Sequence, residues 1–267
     1  MIKLDNITAG YNKVEIIKNV NIAFKQGSVT SIIGKNGCGK TTLLRTASNM
    51  IKPFRGEITI SGKNISDIPN KELARKISFL PQIRTVPNIS VYHLVMHGRY
   101  PYLGFSRTPQ KKDREIVDKA IENIKLNEYL YKNIRELSGG ERQKVYLAMV
   151  LAQDTDIIFL DEPTTYLDMN HQLEILEIVK KLKMLGKTIV MVLHDLNNAL
   201  SYSDQVCLME NGEIVIYDTP HAVFDSKEID RVFKVNSQQA LVGEEGRKQY
   251  IFYLSNAPNT SASIGEG

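Results

Sequence analysis

No apolar run of about 18 residues occurs in this 267-residue chain, which excludes a bilayer-spanning helix. The start of the chain also lacks a hydrophobic segment with a cleavage site, so the expectation is a protein that is not secreted and resides in the cytosol. Cysteine is scarce. Two cysteines, one of them Cys38, provide neither a disulfide framework nor a metal-ligand spacing, and they fit a reducing compartment. Charge of one sign is missing as well: 34 basic against 30 acidic residues leave +4, too small and too dispersed for nucleic-acid binding. No internal repeat is found, which excludes a solenoid. What the chain does have is 42% hydrophobic residues, enough for the core of one large domain or two small ones.

The motifs are more specific. Gly34, Lys35, Asn36, Gly37, Cys38, Gly39, Lys40 and Thr41 fill the phosphate-loop pattern of two glycines around four residues, followed by lysine and a hydroxyl. Before the loop, Val29 to Ile33 reads as a buried strand; after it, Leu43, Leu44, Ala47, Met50 and Ile51 recur at helical spacing. Such a strand, loop and helix start aim backbone N–H groups and partial positive charge at an anion. Lys40 is placed to neutralise β- and γ-phosphates and Thr41 to hold Mg²⁺. Cys38, at a positive helix start, is expected to be a reactive thiol that ATP shields.

A second helix start has different physics. Ser138 followed by Glu141 is a capping box ahead of a helix from Arg142 through Leu151, and Gly139 and Gly140 leave its first amides open to an anion. Further on, Ile157 to Leu160 reads as a strand buried on both faces and ends in Asp161 and Glu162. Carboxylates at the carboxyl end of a parallel strand lie where open α/β sheets bind ligands. Asp161 is therefore a candidate for Mg²⁺, and Glu162 for positioning and deprotonating water. Another run, Thr188 to Leu193, leads to His194, which can hydrogen-bond a γ-phosphate.

Taken in order, the phosphate loop, Gln82, the stretch Leu137 to Glu141, the Asp161/Glu162 pair, the Leu167–Asp168 turn and His194 resemble an ABC-transporter ATPase over most of residues 1 to 220. The resemblance implies an α/β fold: an ABC-type P-loop NTPase with a RecA-like core, an antiparallel β subdomain and an α-helical subdomain. It implies that Tyr11 stacks on adenine, that Gly34 and Asn36 to Thr42 cradle the phosphates, and that Gln82 senses Mg²⁺ and the membrane partner. It also implies that Asp168 links two sites. ATP and Mg²⁺ are the implied cofactors. Ser138, Gly139 and Gly140 would serve the ATP held by a second protomer, so the implied assembly is a head-to-tail homodimer with two ATP sites at its interface.

Along the chain, Val20, Ile22 and Phe24 alternate with polar residues, as antiparallel strands would within residues 1 to 25. Thr108 then Pro109 is expected to open a helix whose buried stripe is Ile116, Val117, Ala120, Ile121 and Ile124. His93 and His97 stand at i and i+4, a spacing better suited to packing than to a metal when no third ligand is near. Asn211 and Gly212 signal a hairpin, and Ser226 is expected to cap a last helix through Phe233. The ATPase domain is expected to span 1–235, with the helical subdomain at about 88–153. Residues 236–267 form an expected extension, partly disordered, with one or two short strands near Tyr250 to Leu254.

Gly98 to Gly104, followed by Asp113, Arg114 and Glu115, resembles ATPases of the ferric-siderophore, haem and cobalamin importer group. That resemblance implies an ATP-hydrolysing subunit at the cytoplasmic face of the membrane, working with membrane-spanning permease subunits and a substrate-binding protein and not with nucleic acid. Ferric siderophore is the first expected cargo and haem or cobalamin the next. A soluble, non-transport ABC ATPase is the rival class, but no sustained heptads separate Gln82 from Leu137 as a coiled-coil relative requires. Lys35, Tyr166 and Asp218 depart from the frequent family pattern without removing a catalytic group.

Overall fold

A computed structural model describes residues 1–82, 85–104, 108–242 and 247–254, with the backbone alone at 247–248. The chain begins with β1 (Ile2–Tyr11), β2 (Val14–Phe24) and β3 (Val29–Gly34), which leads into α1 (Lys40–Ala47). Then follow β4 (Arg55–Ile60), β5 (Lys63–Asn64), α2 (Asn70–Leu73) and β6 (Ile77–Leu80). A helical stretch contributes α3 (Val91–Met96), α4 (Lys111–Asn123) and α5 (Gly139–Ala152). The core resumes with β7 (Ile157–Asp161), α6 (Met169–Met184), β8 (Thr188–Val192) and α7 (Leu196–Tyr202), then β9 (Gln205–Glu210) and β10 (Glu213–Asp218). Last come α8 (Pro220–Asp225), α9 (Glu228–Phe233) and the hairpin β11 (Val235–Val242) and β12 (Arg247–Leu254).

Two sheets carry the architecture. The six-stranded one runs β10-β9-β3-β8-β7-β6, parallel except for the β9–β10 hairpin; the four-stranded one, β2-β1-β4-β5, is antiparallel. The central strands are buried along their whole length because both faces are covered, and their side chains alternate between two cores. Phe159, Val190 and Val192 pack toward the antiparallel sheet and α1, with Phe24 edge-on to Phe159 at 6.4 Å. Ile158, Leu160, Ile189 and Met191 face the opposite way, toward Ile175, Leu176 and Val179 of α6 and the helical stretch. Loops at the carboxyl ends of β3, β6, β7 and β8 thereby converge, since these four strands run parallel.

The helical stretch is stitched by a buried ion pair. Arg99, 3% exposed, meets Asp113 at 3.0 Å, donates to the Ala152 carbonyl at 2.8 Å and lies over the Tyr102 ring. This gives the Gly98 to Gly104 segment a packing task, joining α4 to the end of α5. His93 bonds Ser90 and His97 lies on the Tyr100 ring.

Several boundaries differ from the sequence expectations. α4 starts at Lys111 and not at Pro109, because Gln110 and Asp113 form a reciprocal capping box that fixes the start there. α1 stops at Ala47, leaving Met50 exposed. α9 has Lys227 as its N-cap in the left-handed region; Ser226 accepts from Glu228 N at 3.3 Å but belongs to the end of α8. The extension forms a regular hairpin from Val235, docked where Tyr250 meets Phe224 and its N–H donates to Asn197. The expected mobile remainder, 255–267, lies outside the described residues.

Candidate active site

The convergent loops enclose a cleft of about 550 Å³. One wall is Asn36, Gly37, Gly39, Lys40, Thr41 and Thr42; the other is Gln82, Glu162 and His194, with Tyr11 at the rim. Thus β1, the loop after β3, and the ends of β6, β7 and β8 each contribute what the sequence assigned to them.

The phosphate loop is held by contacts no side chain could accommodate. A Cβ at Gly34, whose φ is 150°, would lie 2.4 Å from the Met209 carbonyl oxygen, so only glycine lets the loop leave β3 beside β9. Lys40 Nζ donates to the carbonyls of Gly34 and Lys35 at 2.8 and 3.0 Å, which fixes the ammonium across the loop while leaving donor capacity. No side chain caps α1, and no acid stands in its first turn. By contrast, α5, α6, α7 and α8 are capped by Ser138, Asp168, Asp195 and Thr219. Among the described α-helices α1 alone lacks both a side-chain cap and an acid in its first turn, which keeps its positive end clear for an anion.

Opposite the loop, Thr41 Oγ1 donates to Asp161 Oδ1 at 2.9 Å. Asp161 is fully buried, and burial pushes its carboxyl above the ordinary range against the opposing pull of the Thr41 hydrogen bond. Its Oδ2 is buried without a hydrogen-bond partner. A buried carboxylate oxygen left unpaired beside a hydroxyl is a hard-oxygen donor set, and it fits Mg²⁺.

Glu162 carries the densest set of contacts. Its carboxylate accepts from Gln82 Nε2, lies 2.6 Å from His194 Nε2 and accepts from Thr165 Oγ1 at 3.1 Å. Its backbone sits at φ 52°, a conformation costing roughly 1–3 kcal/mol for a side chain of this kind. The surrounding contacts over-determine that turn and aim the carboxylate into the cleft. Thr165 and Ile16 also line the cleft and escaped the sequence reading, for Thr165 the signal being a hydroxyl three residues after an acid; Tyr166, noted there only as a departure from the family pattern, lines it too.

Three expected groups stand elsewhere. Cys38 does not present its thiol to the cleft: it is 6% exposed, packed against Gly34, and burial pushes its pKa up despite the nearby Lys40. The expectation of a reactive thiol is thereby corrected, because the loop turns this side chain inward. Ser138, Gly139 and Gly140 do not line the cleft, and neither does Asp168. They form a separate group at the starts of α5 and α6. The capping box is present in full, with Glu141 accepting from Ser138 N at 2.7 Å and Ser138 Oγ accepting from Glu141 N at 3.3 Å. Hydrogen bonds from Tyr129 and Ser138 pull the Glu141 carboxyl down to about 2.

Comparison with known proteins bears on the family and the fold. The ABC transporter family model matches residues 17–165. The petrobactin import ATP-binding protein FpuD of Bacillus anthracis is 41% identical over 87% of this chain and 86% of its own. The ferric enterobactin transport ATP-binding protein FepC of Escherichia coli is 39% identical over 86% and 85%. The iron(3+)-hydroxamate import ATP-binding protein FhuC of Bacillus subtilis is 38% identical over 88% of each. Among solved structures, the dimeric bacterial ABC transporter cassette MJ0796 superposes with a TM-score of 0.73 at 30% identity, covering 82% of this chain and 99% of that one. A metal-chelate type ABC transporter in an inward-facing conformation gives 0.81 at 22% identity, over 94% and 95%, a likeness of fold.

Proposed function

This chain belongs to the ABC transporter ATPase family, and from that premise we propose that it is the ATP-hydrolysing subunit of an importer whose cargo is a ferric siderophore. The observation that carries the reading is the cleft in which Lys40 and Thr41 face Glu162, Gln82 and His194, with Asp161 buried behind Thr41 and hydrogen-bonded to it. The cargo assignment is supported by relatives named for petrobactin, enterobactin and hydroxamate import, each matched along most of its length.

In the proposed mechanism Tyr11 stacks on the adenine and the loop Gly34 to Thr42 wraps the phosphates, with Lys40 neutralising the β- and γ-phosphoryl oxygens. Thr41 and Asp161, with Gln82 beside them, would hold Mg²⁺, which supplies charge neutralisation on the phosphates. Glu162 orients water and takes its proton; Gln82, Thr165 and His194 fix the carboxylate for that task. With nucleotide bound, His194 would turn its N–H from Glu162 to the γ-phosphate. ATP is hydrolysed to ADP and phosphate.

Ser138, Gly139 and Gly140 complete the ATP site of a second copy, and Asp168 lies where the two sites meet. Two features support this. One chain's cleft lacks those residues, and Tyr166 and Met169, 95% and 76% exposed, offer contact area around the turn that follows Glu162. Among the described residues no helix is long and apolar enough to cross a membrane. The subunit would accordingly sit at the cytoplasmic face, bound to permease subunits that receive cargo from a binding protein. Residues 1–235 would form the ATPase domain, with the helical subdomain at about 88–153 turned to the permease and 236–267 an appended extension.

The test is ATP turnover in the complex reconstituted with its permease and binding protein. Stimulation by ferric siderophore, and none by haem or cobalamin, is the expected result; stimulation by either of the others alone would reassign the cargo.

A further inference from the structure

The two glycines at the start of α5 are not equivalent. A Cβ built on Gly139 meets nothing within 4 Å. One built on Gly140 would lie 2.5 Å from both Cγ and Cδ2 of His171 and 2.8 Å from its Nδ1. The space beside Gly140 is thus taken by an imidazole from the first turn of α6. We propose that the space left by Gly140 also seats the His171 ring, and that His171 is a positioning residue tying the Ser138–Gly140 helix start to the loop that carries Glu162.

The ring is not free to step aside. His171 Nδ1 lies 2.9 Å from each oxygen of Asp168, so Nδ1 carries the proton that a carboxylate accepts. The backbone N–H of His171 donates to Asp168 Oδ1, also at 2.9 Å, making the same carboxylate the cap of α6. Moving the ring by the half-ångström or more that a methyl group needs would cost this pairing. Asp168 closes the seven-residue segment Glu162–Asp168, whose other end accepts from Gln82 and Thr165 inside the cleft.

Two more contacts bind α5, one to that segment and one to α6. Gln143 Nε2 donates to the Pro163 carbonyl at 2.6 Å, and Lys144 pairs with Glu174 at 2.8 Å. The α5 start is therefore fastened at Pro163, at Asp168 through His171, and at Glu174. A displacement of Ser138–Gly140 reaches Glu162 through the packing of Gly140 on the His171 ring and the hydrogen bonds from His171 to Asp168 and from Gln143 to Pro163, and not through the sheet. Histidine suits the joint because one flat ring fills the space of the missing Cβ while one edge nitrogen holds the carboxylate; alanine does neither, and asparagine keeps only the donor.

This rests on the nucleotide reading above, and a mutant cycle separates the two. ATP turnover of the full-length chain would be measured for wild type, Lys40→Ala, Gly140→Ala, His171→Ala, Gly140→Ala/His171→Ala and His171→Asn. Melting temperatures of each variant serve as the check on folding. Unchanged turnover in Lys40→Ala would sink the nucleotide reading itself. For the joint, His171→Ala is expected to lower kcat about threefold to tenfold with KM for ATP within about twofold, since the ring is remote from the nucleotide cleft. Gly140→Ala is expected to lose about tenfold or more. Because the alanine ring-space conflict vanishes with the ring, the double variant should turn over about threefold or more faster than Gly140→Ala alone. A double variant as slow as Gly140→Ala, or slower by the His171→Ala factor, overturns the seat. His171→Asn should be faster than His171→Ala; equal rates would overturn the Asp168 arm of the joint.

Discussion

At the scale of single residues, Glu162 and Cys38 make opposed predictions from the same kind of observation, a side chain and what surrounds it. Glu162 is held in a left-handed turn by three donors, an arrangement suited to a base whose orientation matters. Glu162→Gln keeps the shape and loses the proton acceptor, so ATP affinity should persist while turnover falls by roughly 10² to 10⁴. Equilibrium binding of a fluorescent ATP analogue, measured beside turnover, checks both halves; near-normal hydrolysis would remove Glu162 from its role. Cys38, inward-facing and with its thiol pushed up by burial, should alkylate slowly, and MgATP should not alter the rate. ATP-dependent protection would contradict the inward placement. The difference was not legible in sequence, because a helix start lowers a thiol pKa only for a side chain that points at it. The loop pattern gives the position of Cys38 and not its direction.

At the scale of elements, capping and buried pairs set boundaries that hydrophobic spacing could not. The buried stripe of α4 was readable from Val117, Ala120 and Ile121, yet its start was not, since Gln110 is a weak cap in isolation and gains its role from Asp113 reaching back. Asp113 also faces Arg99 in the interior. Arg99→Ala, which leaves that carboxylate buried without its counter-charge and with only the Gln110 N–H to accept from, should destabilise the chain by about 3–5 kcal/mol, and removing Asp113 as well should recover part of the loss. Denaturant melts of the two single variants and the double variant measure it. The α5 cap has a pH signature. Because Glu141 is depressed to about 2 from the usual carboxylate range, its contribution is complete above that usual range. It is lost as pH falls through about 2. Glu141→Gln should thus lower the melting temperature near neutral pH and converge with wild type at the acid end; parallel curves would disprove the depressed carboxyl.

On the whole-molecule scale, the phosphate loop, Gln82, Glu162 and His194 line one cleft because each follows a strand of the parallel set β3, β6, β7 and β8, and parallel strands deliver their carboxyl ends to one edge. The β1–β2 pair and the β9–β10 hairpin were likewise local signals. What no local signal could supply was the place of the second group of residues. Ser138, Gly139, Gly140 and Asp168 gather at the starts of α5 and α6, outside the cleft that the same chain builds. His171, which joins them, has no motif of its own and was found only when the chain had folded. In the proposed assembly these two groups meet across two copies. Donor-labelled Lys40→Ala chains mixed with acceptor-labelled Ser138→Phe chains test it most directly, since a mixed pair retains one intact composite site while neither variant retains any when paired with itself. MgATP is predicted to raise energy transfer in the mixture and to leave each variant labelled against itself unchanged; a mixture as silent as its parents would contradict the claim.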